Sequence, residues 1–298
     1  MSDERIPGTR ETGTVLDRIL AARRERVATD RATRPQSLLE ERAASAPQPR
    51  DFATLLRAGR AATPAGARVR LIAEIKRASP SKGVFDADLD AVEQAERYAR
   101  AGAAAISILT EPDFFGGSIA DLERVSAAFE ADADRPALLR KEFIWEPYQL
   151  LEARAAGADA VLLIVMMLEP AVLAALIART RELGMEPLVE VHNQGEVATA
   201  LDAGARVLGV NNRDLRTFAE DLGTTERLAG LVPAGTTLVA ESAIRTPADA
   251  ARMADAGAHA VLIGEALVAG GEVEAVEARA RAFMLASSEL GSEAGTRR

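Results

Sequence analysis

The apolar positions of this chain fall into short runs, and four of these runs follow a helical stretch that ends in Ala-Gly-Ala. A glycine at that point suits the left-handed residue that terminates a helix, and a short apolar run suits a strand buried on both faces of a parallel sheet. The copies recur roughly every 50 residues, which leaves room for one further strand and helix between successive copies. The pattern therefore predicts eight βα units. The copies begin at Ala101, Ala156, Ala203 and Ala256.

The same pattern, extended through the gaps, predicts where each strand and helix lies. Pro147, Pro170 and Pro247 each open a helical stretch, where the missing N–H removes no hydrogen bond. The predicted strands cover residues 70–76, 104–109, 137–141, 159–165, 186–191, 206–211, 237–241 and 260–264. The predicted helices cover residues 89–101, 118–130, 147–156, 170–183, 194–203, 224–230, 247–256 and 272–287.

Eight alternating strand and helix signals in about 230 residues predict an α/β protein with a closed (β/α)8 TIM barrel. An open, doubly wound sheet is the alternative, although no Gly-x-Gly-x-x-Gly follows the first strand. Extra N-terminal helices are predicted at 15–28 and 52–60, joined by a Pro/Ser-rich loop at 46–49, in a position to cap an end of the barrel. We expect one domain overall: an N-terminal extension (1–60), the barrel (61–286) and a disordered tail (287–298).

The composition narrows the possible chemistry. The chain has 298 residues and 48% hydrophobic content, which suits one large domain better than two small ones. It has no cysteine, so disulfides, thiolate zinc sites and cysteine nucleophiles are excluded. The two histidines, His192 and His259, are too few for a histidine-rich metal site, and a Ser-His-Asp triad would depend on one of them.

Charge and hydropathy bear on partners and location. The net charge of −9, with no dense Lys/Arg run, argues against nucleic acid as a partner. The chain has no run of 18 apolar residues, and its N-terminus lacks the basic and then apolar build of a secretory signal. We therefore expect no membrane segment and a cytoplasmic protein. An anionic ligand would need a locally positive site, which makes each lysine at a strand end informative.

In a barrel of this kind the catalytic groups lie at the C-terminal ends of the strands. Glu74 and Lys76 end an otherwise apolar first strand, and alternation places both on one side, with Ile75 facing the helices. Burying ionised groups is costly unless they pair or serve a ligand, which favours a functional site over solvated loop residues. Further polar strand ends lie at 140–143, 189–193, 210–213, 241–242 and 263–265.

Two regions together predict a phosphate site. The loop after the first strand, residues 78–83, contains Ser79, Ser81, Lys82 and a glycine. Residues 242–243 and 264–265 follow the seventh and eighth strands, where barrels commonly bind phosphate through backbone N–H groups. Small residues that only form tight turns are the alternative. Lys82 is left open between attracting the anion and lying in solvent.

A series of motifs at these strand ends resembles the indole-3-glycerol-phosphate synthase family of tryptophan biosynthesis. The resemblance extends over residues 15–285, and an ordered series of this kind is very specific. The motifs are Glu-Ile-Lys (74–76) with Ala-Ser-Pro-Ser-Lys-Gly (78–83), Ile-Leu-Thr (108–110) with Phe-Phe-Gly-Gly-Ser (114–118), Leu-Arg-Lys (139–141) with Phe-Ile (143–144), Glu-Ala-Arg-Ala-Ala-Gly-Ala-Asp-Ala (152–160), Leu-Val-Glu-Val-His (188–192), Gly-Val-Asn-Asn-Arg-Asp-Leu (209–215) and Glu-Ser (241–242).

The resemblance implies a lyase that converts 1-(2-carboxyphenylamino)-1-deoxyribulose 5-phosphate to indole-3-glycerol phosphate, with loss of carbon dioxide and water and without a metal or other cofactor. It also implies that Lys141 is the general acid that protonates the sugar carbonyl as the aromatic ring attacks, with Glu74 as its expected partner. Glu190 is expected to take up or relay protons, assisted by Lys76 and Glu74.

The resemblance further implies three groups of substrate contacts. Phe143 and Leu163 are expected to wall the anthranilate ring, although plain core packing is an equally good interpretation of Leu163. The contacts to the substrate carboxylate or its sugar hydroxyls are expected from Ser79, Asn211 and Arg213. Further substrate contacts are expected from Ser81, Glu241 and Ser242. The phosphate contacts are expected from Ser242, Ala243, Gly264 and Glu265, the last through its backbone N–H.

Two positions depart from the family pattern. Glu142 stands where aspartate is expected, a change of one methylene on a residue that should point away from Lys141. Ala243 stands where glycine is expected, and this change matters more because alanine restricts positive φ at a backbone that must approach a phosphate. We expect binding to survive with a modest change in affinity.

Two alternatives compete with this assignment. Phosphoribosylanthranilate isomerase shares the phosphate site, but that family uses a cysteine at the first strand and this chain has none. A catalytically silent barrel that binds another pathway enzyme would have lost a catalytic residue, whereas all four are present. The expected partner is a phosphorylated small molecule, with neither nucleic acid nor membrane, and the chain is expected to be a monomer with at most weak contacts to other pathway enzymes.

Overall fold

The computed structural model describes residues 6–80, 82–268 and 275–286, and its centre is a closed barrel of eight parallel strands. The barrel strands follow one another in chain order, and the last pairs with the first. The predicted (β/α)8 barrel is therefore confirmed. In chain order the strands are β1 (Arg70–Ile75), β2 (Ala78–Ser79), β3 (Gly83–Val84), β4 (Ala105–Leu109), β5 (Ala137–Lys141), β6 (Ala160–Ile164), β7 (Glu186–Val191), β8 (Val207–Asn211), β9 (Thr237–Glu241) and β10 (Ala260–Ile263). Strands β2 and β3 form a separate antiparallel ribbon, which the apolar pattern did not predict.

Helices surround the barrel and alternate with its strands. The glycine of each Ala-Gly-Ala copy has a φ between 87° and 98°, so each ends its helix in the predicted left-handed conformation. Proline opens α7, α8 and α11 as predicted. In chain order the helices are α1 (Val15–Thr33), α2 (Gln36–Ser45), α3 (Phe52–Ala58), α4 (Ala91–Ala101), α5 (Pro112–Phe115), α6 (Ile119–Ala128), α7 (Pro147–Ala155), α8 (Pro170–Glu182), α9 (Gln194–Asp202), α10 (Gly223–Ala229), α11 (Pro247–Asp255), α12 (Glu265–Val268) and α13 (Ala275–Leu285), with a 3-10 helix at Val165–Met167.

The N-terminal extension contains three helices where two were predicted. Helix α1 continues five residues beyond the predicted end at residue 28, and α2 was not predicted at all. The apolar pattern is weak in α2 because only two of its side chains, Leu39 and Ala43, are buried. The helix packs against α7. A helix with so narrow an apolar face leaves little periodic signal in the sequence.

The extension covers both ends of the barrel. Helix α1 lies over the C-terminal end, where Leu16 and Ile19 are buried and line the central cavity. Helix α3 lies at the opposite end, where Arg57 Nε donates to the hydroxyl of Thr237, the first residue of β9, at 2.9 Å. Helix α1, which is not part of the eight βα units, therefore covers one side of the C-terminal end of the barrel.

Several predictions fall on residues that the structure does not describe. The predicted last helix, 272–287, is present as α13, but residues 269–274 lie outside the described part of the chain, as do Ser81 and the predicted tail at 287–298. The division into extension, barrel and tail stays a prediction. Among the described residues, no helix is long and apolar enough to cross a membrane.

Candidate active site

A cavity of about 390 Å³ opens at the C-terminal end of the barrel strands, where the catalytic groups were expected. It brings together residues from all eight barrel strands or from the segments that directly follow them. The predicted residues that line it are Glu74, Lys76, Ser79, Lys141, Phe143, Glu190, Asn211, Arg213, Glu241, Ser242, Ala243, Gly264 and Glu265. Ser81 lies outside the described residues.

The ammonium group of Lys141, at the end of β5, lies among three carboxylates. Its Nζ is 2.8 Å from Oε2 of Glu241 and 4.0 Å from a carboxylate oxygen of both Glu74 and Glu190. The closest partner is therefore Glu241 and not Glu74, which corrects the sequence prediction. Burial opposes the charged form of Lys141, but the three carboxylates outweigh it and raise its pKa above the ordinary value. Lys141 is thus held as an ammonium.

Glu74 and Lys76, two residues apart on one side of β1, form the second ion pair of the site. Nζ of Lys76 lies 2.9 Å from Oε1 of Glu74. Burial favours the neutral form of Glu74, but the charges of Lys76 and then Lys141 overcome this and lower its pKa. Lys76 also lies 5.6 Å from the ring centre of Phe85, in the loop that follows. Glu74 therefore stays ionised between two lysines.

Glu190, near the end of β7, is a second carboxyl of the cluster whose pKa is lowered. Burial acts to raise its pKa, but His192, Lys141 and the amide of Asn211 outweigh burial and bring the pKa to about 2. Nδ2 of Asn211 donates to Oε1 of Glu190 at 3.2 Å. Glu190 is therefore ionised at neutral pH, as a general base must be.

Glu241, at the end of β9, behaves differently. Its pKa is raised to about 7, first because it is fully buried, and although Lys141 opposes this, the negative charges of Glu190 and Glu74 add to it. Its Oε1 has no hydrogen-bond partner among the described residues. Glu241 is consequently the carboxyl of this cluster that can gain or lose a proton near neutral pH.

Two glycines make room for these carboxylates. A Cβ atom on Gly209 of β8 would lie 2.0 Å from Oε1 of Glu241, and a Cβ atom on Gly264 would lie 2.9 Å from Oε1 of Glu74. Both distances are too short for any side chain. Gly264, predicted as a phosphate contact, therefore also determines where Glu74 can lie. Gly209 has the same effect on Glu241 and was not predicted from the sequence.

The turn after β9 has an unusual backbone. Ser242 and Ala243 have φ values of 62° and 63°, two consecutive left-handed residues without glycine. This conformation is what the predicted glycine at position 243 would favour, so Ala243 adopts it at a cost of roughly 1 kcal/mol. Both residues line the cavity together with Gly264 and Glu265.

The rim of the cavity carries further charges. Lys82, whose role was left open, forms an ion pair with Glu265. Arg213 forms a two-pronged contact with Oε1 of Glu220, at 3.1 Å from Nε and 2.6 Å from Nη2, and Glu220 also contacts Arg245. Glu220 was not predicted from the sequence because it lies in a loop seven residues beyond Arg213.

All three lysines of the chain line this one cavity, namely Lys76, Lys82 and Lys141. The other 33 of the 36 basic residues are arginines, of which Arg213 and Arg245 also line the cavity. Every lysine of the chain thus lies at this cavity. Its ammonium is a compact charge on a flexible stem, unlike the planar guanidinium of arginine.

The comparison with known proteins agrees with this geometry. A family model described as indole-3-glycerol phosphate synthase matches residues 16–279. The chain belongs to the indole-3-glycerol phosphate synthase family. Enzymes of this name are carboxy-lyases of tryptophan biosynthesis.

Relatives match most of the chain. The indole-3-glycerol phosphate synthase of Roseiflexus sp. (strain RS-1) is 49% identical over 263 residues, 87% of this chain and 95% of that protein. The indole-3-glycerol phosphate synthase of Parafrankia sp. (strain EAN1pec) is 48% identical over 257 residues, 86% of this chain and 91% of that protein. The multifunctional tryptophan biosynthesis protein of Schizosaccharomyces pombe is 50% identical over 223 residues, which cover 74% of this chain and 29% of that protein.

More distant similarity concerns the fold alone. The 3-hexulose-6-phosphate synthase from Salmonella typhimurium superposes with a TM-score of 0.59 at 13% identity, over 73% of this chain and 98% of that chain. A structure titled "Native KDPGal structure" superposes with a TM-score of 0.54 at 23% identity, over 72% of this chain and 93% of that chain.

The apolar wall of the synthase cavity differs from the sequence prediction at one position. Phe143 lines the cavity and lies 6.0 Å from Phe115, ring centre to ring centre. Leu163 is fully buried, but the neighbouring residues of β6 that line the cavity are Leu162 and Ile164. The prediction for Leu163 was therefore wrong, because side chains alternate along a strand and those of Leu162 and Ile164 lie on the cavity side. Ile164 pairs in register with Glu190, and register neighbours lie on the same side of a sheet, so strand register places Ile164 on the side of the cavity.

The other departure from the synthase pattern, Glu142, directly follows β5 and is buried. Its carboxylate lies 3.1 Å from Nη2 of Arg23 on α1, accepts the hydroxyl of Thr110 at 3.0 Å and accepts the N–H of Phe143 at 2.9 Å. The side chain that follows Lys141 therefore ties β5 to the N-terminal helix that covers the cavity.

Proposed function

We propose that this chain catalyses the conversion of 1-(2-carboxyphenylamino)-1-deoxyribulose 5-phosphate to indole-3-glycerol phosphate, carbon dioxide and water. The observation that carries this proposal is the position of the Lys141 ammonium among three buried carboxylates, in a cavity whose other lining residues include the apolar side chains of Phe115, Phe143, Leu162 and Ile164. A cavity of about 390 Å³ is within the range of small-molecule sites.

The substrate has three anchoring groups, and the cavity offers a place for each. We assign its phosphate to the backbone around Ser242, Ala243, Gly264 and Glu265, with Lys82 at the rim. Its carboxylate is assigned to Arg213, with Asn211 and Ser79 near the sugar, because a guanidinium matches a carboxylate in a two-pronged contact. Its aromatic ring is assigned to the apolar wall, formed by Phe143, Phe115, Leu162 and Ile164.

Ring closure requires a proton at the sugar carbonyl. The aromatic carbon that carries the carboxylate attacks the carbonyl carbon, and a carbon–carbon bond forms while the carbonyl oxygen takes a proton from Lys141. The bond to the carboxylate then breaks, carbon dioxide leaves, and the electrons of that bond restore the aromatic ring. A neighbouring cation stabilises the negative charge that develops on the oxygen.

Dehydration then forms the second double bond of the five-membered ring. The new hydroxyl leaves as water with a second proton, for which Lys141 and Lys76 are the ammonium donors of the cavity. Glu190, ionised and close to Lys141, removes a proton from the adjacent carbon. The carboxylate is lost as carbon dioxide, so each turnover takes up one proton. Glu241 has a pKa of about 7 and contacts Lys141 at 2.8 Å, so it can return this proton to the lysine.

The test is a direct assay. The purified protein is mixed with the phosphorylated substrate, and indole formation is followed by fluorescence, with the product identified by mass. Appearance of indole-3-glycerol phosphate supports the proposal, and a folded protein that produces none refutes it. The cytoplasmic location, the monomeric state and weak contacts with other pathway enzymes stay predictions.

A further inference from the structure

The imidazole of His192 lies behind Glu190, on the side away from the cavity. Nε2 of the ring is 3.3 Å from Oε1 of Glu190, and Nδ1 is 3.0 Å from Oε2 of Glu196 on α9. The His192 side chain is only 8% exposed, and His192 is absent from the described residues that line the cavity. A buried ring thus bridges a carboxylate of the active site and a carboxylate near the surface.

Both ring nitrogens of His192 face carboxylate oxygens, and this decides the charge of the ring. A neutral imidazole carries one N–H and one lone pair, so one of its nitrogens would direct a lone pair at a negative oxygen. The imidazolium avoids this by carrying a proton on each nitrogen. Within the described residues Nε2 makes no well-aligned hydrogen bond, so its contact with Glu190 is a charge interaction.

The other charges around His192 leave this balance in place. Glu196 is on α9, Arg213, Asp214 and Arg216 follow β8, Arg227 is on α10, and the 3-10 helix Val165–Met167 has no ionisable side chain. Burial acts to lower the pKa of His192, but Glu190 and Glu196 outweigh burial and raise it to about 10.

The two oxygens of Glu190 are in different environments. Oε1 faces His192 and accepts the amide of Asn211, whereas Oε2 faces Lys141 at 4.0 Å. We propose that His192 is a positioning residue of the reaction: its imidazolium, braced by Glu196, keeps Glu190 ionised and leaves Oε2 as the oxygen that meets the substrate. This inference rests on the proposed function, in which Glu190 removes a proton.

The charge of His192 can be measured without any catalysis. The chain has two histidines, so the nitrogen spectrum of the His192→Gln variant shows His259 alone and assigns both rings. We expect the His192 ring to stay doubly protonated from pH 6 to pH 9 in the free protein, and Glu196→Gln to lower the pH at which it loses a proton. Loss of the proton near pH 6.5 in the unchanged protein, as in a free histidine, would overturn the proposal.

The consequence for catalysis is a change in pH dependence. In the unchanged protein a proton taken up near pH 7 is held by Glu241, and Glu190 stays ionised. Without the imidazolium the pKa of Glu190 rises, and the proton that these neighbouring carboxyls share moves onto the base. We therefore expect kcat/KM of His192→Gln, relative to the unchanged protein, to fall about tenfold between pH 8 and pH 5, while KM at pH 8 changes little.

Two further variants separate this role from a structural one. Glu196→Gln, outside the cavity, should cause a smaller fall in the same direction, and Glu182→Gln, an exposed carboxylate on α8, should cause none. A loss of activity by one constant factor at every pH would mean that His192 only supports the fold. If His192→Gln does not fold, the change in kcat/KM of Glu196→Gln between pH 8 and pH 5, relative to the unchanged protein, tests the proposal instead. If the unchanged protein makes no indole product, the proposed function fails, and the ring spectrum still decides the charge of His192.

Discussion

The Lys141 ammonium contacts the Glu241 carboxylate at 2.8 Å, although the two residues are 100 positions apart in the chain. Their strands, β5 and β9, are the third and seventh of the eight barrel strands, on opposite sides of the barrel. The two side chains meet because both extend inward at the same end of the barrel. This contact joins the general acid of the proposed reaction to the carboxyl whose pKa is about 7.

Replacing Lys141 by methionine should lower kcat by roughly 10²- to 10⁴-fold, the range expected for loss of a general acid. Lys82→Met is the matched control, because it removes the same group from the rim, where we expect a severalfold rise in KM and little change in kcat. Steady-state kinetics of both variants measure this difference. A Lys141→Met enzyme with full turnover would remove the assignment of Lys141.

The raised pKa of Glu241 makes a prediction about stability. Its ordinary pKa is 4.5 and its value in the folded protein is about 7, so the folded state binds the proton more tightly and loses stability as pH rises through this window. Glu241→Gln removes the penalty. We expect the variant to gain at least about 2 °C more in Tm at pH 8 than at pH 4.5, measured by thermal unfolding. An equal effect at both pH values would contradict the raised pKa.

Gly209→Ala should impair catalysis without contacting the substrate. The new Cβ would lie 2.0 Å from Oε1 of Glu241 and would push this carboxylate away from Lys141. We expect kcat to fall about tenfold or more, because small displacements of catalytic groups are costly. Gly235→Ala, where no atom lies within 4 Å of the added carbon, is the control and should retain normal kcat. Equal kcat values for the two variants would show that Glu241 tolerates displacement.

Ala243→Gly should stabilise the protein by about 1 kcal/mol, because the φ of 63° at this position is strained for alanine and free for glycine. Denaturant unfolding measures the gain. The observed backbone already has the left-handed form that glycine would favour, so we expect KM to change less than about tenfold. A larger decrease in KM would show that Ala243 holds the turn away from the phosphate.

Leu163→Ala and Ile164→Ala test which side of β6 faces the substrate. Both residues are buried, so each variant should lose roughly 2–5 kcal/mol of stability in chemical unfolding. Only Ile164→Ala should also raise KM, because Ile164 lines the cavity. A rise in KM for Leu163→Ala with none for Ile164→Ala would restore the original assignment.

Much of the fold was predictable because its signals are local. Each Ala-Gly-Ala copy combines a helix end with the start of a buried strand, and each barrel strand contains a short apolar run. Helix α2 and the β2–β3 ribbon escaped prediction because the helix buries too few side chains and each strand of the ribbon has only two residues. The strand ends could be located from sequence, and with them thirteen of the residues that line the cavity, including all of its central charged side chains.

The pairing of charges within the site required the closed barrel. The sequence determined that Glu74, Lys76, Lys141, Glu190 and Glu241 all end strands, since this depends only on local alternation and on the parallel arrangement. The tertiary structure decided that Glu241 rather than Glu74 is the closest partner of Lys141, that Ile164 rather than Leu163 faces the cavity, and that His192 lies behind Glu190. These relationships depend on strand register, on barrel closure and on the space left by Gly209 and Gly264. All three involve residues that are far apart in the chain, so local sequence signals do not reveal them.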